Sequence, residues 1–194
     1  MKSKSLLIVA GIAIILIIWG VSVYNGLVKS EVNVEQEWSN VETQYQRRSD
    51  LIGNLVATVK GYAEHEKTTL NEVIAARAAA TQTKIDSKDL TPEKLQQFQE
   101  AQGELSSALG RLLVTVERYP DLKANQNFLE LQAQLEGTEN RIQVARQRYN
   151  EVSAEFNKKI RVFPTNIPAG LFGFSQKPFF EADKEAKQAP KVEF

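Results

Sequence analysis

One apolar run near the amino terminus limits what this chain can become. Leu6 to Val23 reads LLIVAGIAIILIIWGVSV, and no charge occurs between Lys4 and Lys29. At about 1.5 Å per residue this run makes a helix of roughly 27 Å, close to the thickness of a bilayer's hydrocarbon core. Trp19 and Tyr24 fall toward its far end, where amphipathic rings favour the membrane–water boundary. Residues 6–24 are therefore predicted to form a single transmembrane anchor, carried by Leu6, Ile14, Ile15, Ile18, Trp19 and Tyr24, with 1–5 as a short tail. The competing reading is a cleaved signal peptide. The run exceeds the usual apolar length for one, and Gly20-Val21-Ser22 is a weak cleavage site. Lys2 and Lys4 precede the run, whereas Lys29 is soon followed by Glu31, Glu35 and Glu37. That bias favours the tail in the cytoplasm and the larger part on the extracytoplasmic side of the cell membrane.

The rest of the chain is sized for one domain. Lysine plus arginine balances aspartate plus glutamate at 24 each, so there is no basic excess for phosphate neutralisation and no nucleic-acid partner is expected. Cysteine is absent, which removes disulfides, thiolate catalysis, cysteine metal sites and a lipid-bearing cysteine. Glycine and proline are sparse before Pro164, which favours long helices over strands.

Val34, Trp38, Val41 and Tyr45 recur at helical spacing, and nothing firmer than Gly26 separates them from the anchor. Ser49 or Asp50 offers a cap, so residues 49–53 read either as a turn or as a kink. Apolar positions resume from Ile52 to Ile74, and this helix is expected to end near Thr83. Thr91-Pro92 is a helix start, a capping hydroxyl followed by proline at the first helical position. Leu95, Phe98, Gln102, Leu105, Leu109, Leu112 and Val116 then form a seam with one polar member, closed near Arg118 by Pro120. The last helix carries the cleanest seam, from Phe128 through Leu135, Ile142 and Tyr149 to Phe156, with the heptad-like spacing of near-parallel packing. The expected fold is all-α: the anchor, then an up-and-down antiparallel four-helix bundle over 25–162. The alternative fuses the first two bundle helices, leaving three long ones. Pro164, Pro168 and Pro178 forbid a long helix in the Pro/Phe-rich tail of 163–182, and 183–194 reads as disordered.

Several runs carry a family resemblance. Arg48-Ser49-Asp50-Leu51-Ile52-Gly53-Asn54-Leu55-Val56 with Val59-Lys60-Gly61-Tyr62-Ala63-Glu64-His65-Glu66 form one block. Glu117-Arg118-Tyr119-Pro120-Asp121-Leu122-Lys123-Ala124 with Glu136-Gly137-Thr138-Glu139-Asn140-Arg141-Ile142 form another. Gly170-Leu171-Phe172-Gly173-Phe174 and Phe179-Phe180-Glu181-Ala182 complete them. Together they resemble the LemA family. The resemblance implies a bacterial membrane protein with a four-helix up-and-down bundle. It implies no enzyme activity and no catalytic residues. Gly53 departs from it, since the family usually has proline there.

No residue set demands a reaction. His65, the only histidine, lies off the apolar stripe, and Tyr62 stands where a di-iron Glu-x-x-His motif needs glutamate. No catalytic residue, metal ligand or cofactor is expected. Asn140 and Arg141 read as a polar pair that fixes bundle register. Arg47 and Arg48 are candidates to meet an anionic lipid or a partner carboxylate. Phe163, Phe172, Phe174, Phe179 and Phe180 are interaction candidates on density alone. Two roles are open for them: capping the end of the bundle core, or engaging the membrane interface or a partner. The expected function is a membrane-anchored scaffold or adaptor for protein–protein interaction in the bacterial envelope. Its expected partners are the lipid bilayer, other membrane or envelope proteins and further copies of itself. The alternatives are a membrane-tethered enzyme or metal protein, and a ligand sensor coupled to a partner.

Overall fold

A computed structural model describes residues 2–62 and 66–181, without the side chains of 2–5 and of Lys88. The described residues are helical, with no strand among them. Helix α1 runs unbroken over Lys2–Lys60, a length of about 88 Å. Helix α2 (Lys67–Gln82) turns back, α3 (Pro92–Val116) goes out again, and α5 (Gln126–Arg161) returns. A short α4 (Pro120–Lys123) links the last two, and α6 (Asn166–Leu171) follows α5.

The chain is thus a long helix with an apolar amino-terminal stretch that runs into an up-and-down bundle, with the first turn in a different place from the one expected. The break falls after Lys60, not at 49–53, and α1 also passes Gly26 without interruption. Asp50 caps nothing. It accepts a hydrogen bond from Gln46 one turn earlier, at 3.0 Å, and Arg77 approaches it at 4.0 Å. The apolar positions explain the continuity. Trp38, Val41, Tyr45, Ile52, Leu55 and Val59 are all buried, so a turn at 49–53 would take half of one stripe off the core. The expected second helix is instead divided, its residues 49–60 ending α1 and 67–82 forming α2.

Elsewhere the local signal at Thr91 holds. The Thr91 side chain accepts from the Lys94 amide at the start of α3. Asn125 does the same for Phe128 at the start of α5, at 3.0 Å. The bundle part of α1, from Leu27 to Lys60, matches α5 in length, and the two pack antiparallel along it, from Lys159 on Ser30 to Asn125 on Tyr62.

Helix α2 is the short member, and this shapes the core. Its carboxyl end stands level with Ser49, whose hydroxyl meets Thr81 at 3.1 Å. Beyond that level the core has two parts. The upper cluster is drawn from all four long helices and is aliphatic except for Phe128. The lower cluster, toward the anchor, has no α2 residue. It uses α1, α5, the start of α3, Ile85 and Leu90 of the connecting segment, Ala169 of α6 and Phe180 of the tail. Residues 183–194 lie outside the described residues, as does His65.

Candidate functional site: the polar layer, the tail clamp and the 163–172 segment

Between the two clusters lies a layer of polar side chains centred on Arg48. The residue is 4% exposed. It donates to Gln102 Oε1 at 2.6 Å and to the Gln102 carbonyl at 3.3 Å. It also donates to Ser106 Oγ at 3.1 Å and Glu139 Oε2 at 3.0 Å. Gln102 passes the chain of bonds to the Ala80 carbonyl, so one layer ties α1, α2, α3 and α5 together. The two terminal nitrogens are paired while the buried Nε is not, and this partner set fixes which turns of the helices sit opposite each other. Arg48 is committed inside the bundle, while Arg47 points to solvent. The register role expected of Asn140 and Arg141 falls to Arg48, Gln102 and Glu139, because Asn140 and Arg141 are on the exposed side of α5. Gln102 showed itself in the sequence as the polar member of an apolar seam; Arg48 gave no such signal.

Part of the tail takes the capping role. Residues 174–181 fold back along α5, away from the anchor, and fill the space that α2 leaves. Asn157 donates to the Lys177 carbonyl and accepts from the Lys177 amide, both at 2.8 Å. Asn150 does the same for Phe180, at 3.0 and 2.9 Å. The spacing fits: seven helical residues rise about 10.5 Å, and three extended residues span about 10 Å. Each asparagine therefore satisfies both polar groups of one tail residue, which would otherwise be buried without partners. Tyr149 donates to the Pro178 carbonyl at 3.0 Å, and burial pushes its phenol above the ordinary range, keeping the donor neutral. The Phe180 ring stacks on Trp38 at 5.9 Å and meets Tyr149 edge-on at 5.5 Å. The buried Lys177 ammonium pairs with Glu31 at 2.7 Å. Asn150 and Asn157 were missed as a pair, although their seven-residue spacing beside the seam was visible.

Phe163 and Phe172 stay outside, at 80% and 54% exposure, and Phe179 is also exposed. Phe174 is half-buried, 6.3 Å from Phe156, and Phe180 is buried. The exposed rings of the 163–172 segment sit beside the start of the bundle: Phe172 packs on Tyr24 edge-on at 4.8 Å. The anchor residues Leu6, Ile14, Ile15, Ile18, Trp19 and Tyr24 are all exposed along α1. The stretch from Leu6 is long and apolar enough to cross a membrane, and none of it is buried by the fold, which supports anchoring there.

Two hollows remain. A small one of about 60 Å³ lies under Glu42, Thr81 and Lys84; burial raises the Glu42 carboxyl above its ordinary range, with Lys84 opposing. An open groove of about 400 Å³ follows the α1–α5 seam, lined by Glu37, Asn40, Gln44, Asn140, Arg141, Val144 and Arg148. Among the described residues no three carboxylate or imidazole groups converge as a metal site would need.

The unbroken α1, the Tyr119-Pro120 link and the clamped tail place the quoted runs on one bundle, and the LemA family profile matches residues 37–194. The chain belongs to the LemA family. Among LemA-like relatives it is similar to Protein LemA of Metamycoplasma hominis, 24% identical over 82% of this chain and 69% of the relative. It is also similar to Magnetosome proteins MamQ 1 and MamQ 2 of Paramagnetospirillum magneticum, 24% identical over 87% of this chain and 68% of each. The matched LemA region takes in the polar layer, both clamp asparagines and the 163–172 segment.

Proposed function

We propose that this LemA-family protein is a membrane-anchored scaffold that presents the faces of its helical bundle to other proteins of the bacterial envelope, with the bundle on the extracytoplasmic side. One observation carries the reading. The helix that leaves the apolar span continues unbroken into the bundle core, so the bundle is held upright at a fixed height rather than swung on a linker. The polar groups inside it are spent on packing: Arg48 on helix register, Asn150, Asn157 and Tyr149 on the tail. What remains for partners is surface, above all the α1–α5 groove, where Val144 is half exposed between Arg141 and Arg148.

The test is photo-crosslinking in native membranes from the full chain, with a photoreactive residue at Val144 in the groove and at Val114 on the exposed side of α3. Discrete adducts with other proteins are expected from Val144. Adducts with lipid alone, or with nothing, from both positions would overturn the scaffold reading. Sidedness is read separately, because the chain has no cysteine to interfere. An Ala133→Cys variant is expected to react with an impermeant thiol reagent once any outer membrane is permeabilised. Protection until the inner membrane is lysed would move the bundle to the cytoplasmic face.

A further inference from the structure

Two stretches of this chain carry no charge at unusual length. One is 5–28, which contains the anchor; the other is 162–176, fifteen residues from Val162 to Gln176. They are far apart in sequence, and the fold brings them side by side, with Tyr24 against Phe172 at 4.8 Å and Phe174 at 5.9 Å. The second stretch is two-sided. Pro168 and Ala169 face the bundle and are buried. Phe163, Ile167 and Leu171, four residues apart, are 80%, 61% and 79% exposed. A soluble protein seldom leaves three large apolar side chains of one short segment this open.

We propose that Phe163, Ile167, Leu171 and Phe172 form a foot that seats in the interfacial layer of the same bilayer the anchor crosses. Position names the occupant. Tyr24 directly follows the apolar span, so whatever packs on Tyr24 lies at the depth where a bilayer's hydrocarbon gives way to headgroups. Charge agrees. Lys158, Lys159 and Arg161 occupy the last turn of α5 directly above the foot, and Lys29 is exposed on α1 at the same level. The nearby Glu31 is paired with Lys177. An apolar wedge under a basic rim matches an anionic lipid surface, with hydrocarbon below and phosphate above. Two points of contact, anchor and foot, would fix the rotation of the bundle about α1, which a single helix leaves free. The inference rests on the membrane-anchored reading but not on the existence of protein partners.

The experiment uses single-cysteine variants of the full chain carrying an environment-sensitive fluorophore, reconstituted in vesicles of phosphatidylcholine and phosphatidylglycerol. Probes replace Phe163, Ile167 or Leu171 in the foot, Ile15 in the span and Ala133 near the bundle tip. Foot probes are expected to show blue-shifted emission, quenching by headgroup-level nitroxide lipids and loss of quenching by aqueous iodide. Ala133 should show the reverse, and Ile15 should respond to a deep acyl-chain nitroxide. Foot probes that behave like Ala133 while Ile15 remains lipid-quenched would overturn the foot alone. Foot probes shielded from iodide and from lipid alike would also overturn it, in favour of a second copy of the chain. Loss of lipid quenching at Ile15 would overturn the anchor, and the foot with it. The first two outcomes leave the crosslinks at Val144 untouched, so the foot can fail while the scaffold stands; loss of the anchor would overturn the membrane-anchored reading that both share.

Discussion

The two halves of the bundle solve the same packing problem with different materials. Among the described residues the upper cluster holds one aromatic side chain, Phe128, in fifteen; the lower holds six in sixteen, Trp38, Tyr45, Phe98, Tyr149, Phe156 and Phe180. The cause is the length of α2. Where four helices run together, aliphatic side chains at seam positions close the core. Below Ser49 there are two full helices, the start of a third, a connecting segment and an extended tail. That space is less regular, and large rings fill it: Trp38 touches Phe98 and Tyr149 edge-on, each at 5.6 Å, and donates its indole N–H to the Ile85 carbonyl. An extended tail also brings backbone polar groups that no helix satisfies, which is why the lower half needs Asn150, Asn157 and Tyr149 and the upper half needs no counterpart. The polar layer at Arg48 stands where one regime gives way to the other.

The comparison breaks most directly at Trp38. Trp38→Ala should cost about 3–5 kcal/mol, the range for removing a fully buried large aromatic side chain. Hydrogen exchange on the full chain in detergent should locate that loss in residues 27–45 and 142–160, leaving 51–59 and 105–116 protected. Leu112→Ala, within the aliphatic cluster, should show the opposite pattern. Equal acceleration of both halves by either substitution would mean that the bundle opens as one unit and that the division has no energetic meaning.

Asn157→Ala should come next. It removes two hydrogen bonds and strands the amide and carbonyl of the buried Lys177, at about 1–3 kcal/mol for an unsatisfied buried group. Because the tail can detach, the loss is capped by its own docking energy, and the readout is local: protease access at 174–181 rises while α1 to α3 stay protected. Unchanged protease access would show that Phe180 and the Lys177–Glu31 pair hold the tail without the clamp.

These cases also show how much of the fold could be read in advance. The long apolar amino-terminal helix, the cap at Thr91 and the α5 seam rest on local rules, and they stand where the residues put them; the cap at Asn125 was not singled out in the sequence. The first turn does not. Asp50 and Gly53 are locally good breakers, but the unbroken stripe from Trp38 to Val59 outweighs them once the partners are in place. The tail was half legible. Phenylalanine density marked it as important, but only the missing length of α2 decides that Phe180 turns inward and Phe163 outward, and that length is set by the end of α1 at Lys60, which has no strong local signal. Arg48 illustrates the same limit, since its burial depends on Gln102, Ser106 and Glu139, each far away in sequence.

Gly53, just above the polar layer, allows a finer test. Proline inside a helix usually costs about 3 kcal/mol or more, by deleting an amide and orphaning the carbonyl one turn back. Here that carbonyl belongs to Ser49, and Arg77 already donates to it from Nε at 2.7 Å. Losing glycine's freedom in the unfolded chain also offsets about 0.4–1 kcal/mol. Gly53→Pro is therefore expected to cost about 1–2 kcal/mol, below the usual figure for an interior proline. The opposing effect is crowding, since a Cβ at 53 would lie 3.3 Å from the Arg77 guanidinium. An Arg77→Lys background, which loses the Nε donor, should restore the full penalty. A full penalty with Arg77 present would mean that the guanidinium is displaced rather than taking over the carbonyl.

The smallest effect expected is at Glu42, on the lower side of the boundary. Burial raises its carboxyl, against the attraction of Lys84 and a hydrogen bond from Trp38, with Asp86 adding to the rise. A raised folded-state value means that the folded chain holds this proton more tightly than the unfolded chain. Glu42 therefore lowers stability as pH climbs from the ordinary carboxylate range through its raised value, and it leaves stability unaffected below that window. Glu42→Gln should make the protein slightly more stable at neutral pH, with the difference vanishing in acid, in a thermal melt followed from low to neutral pH. The group is only partly buried and Lys84 loses its attraction in the variant, so the gain is modest and shrinks further if Lys84 outweighs burial. A variant less stable than the parent at neutral pH would reverse the order of those two forces, and would make the hollow under Glu42 part of the fold's electrostatic support rather than a gap left where α2 ends.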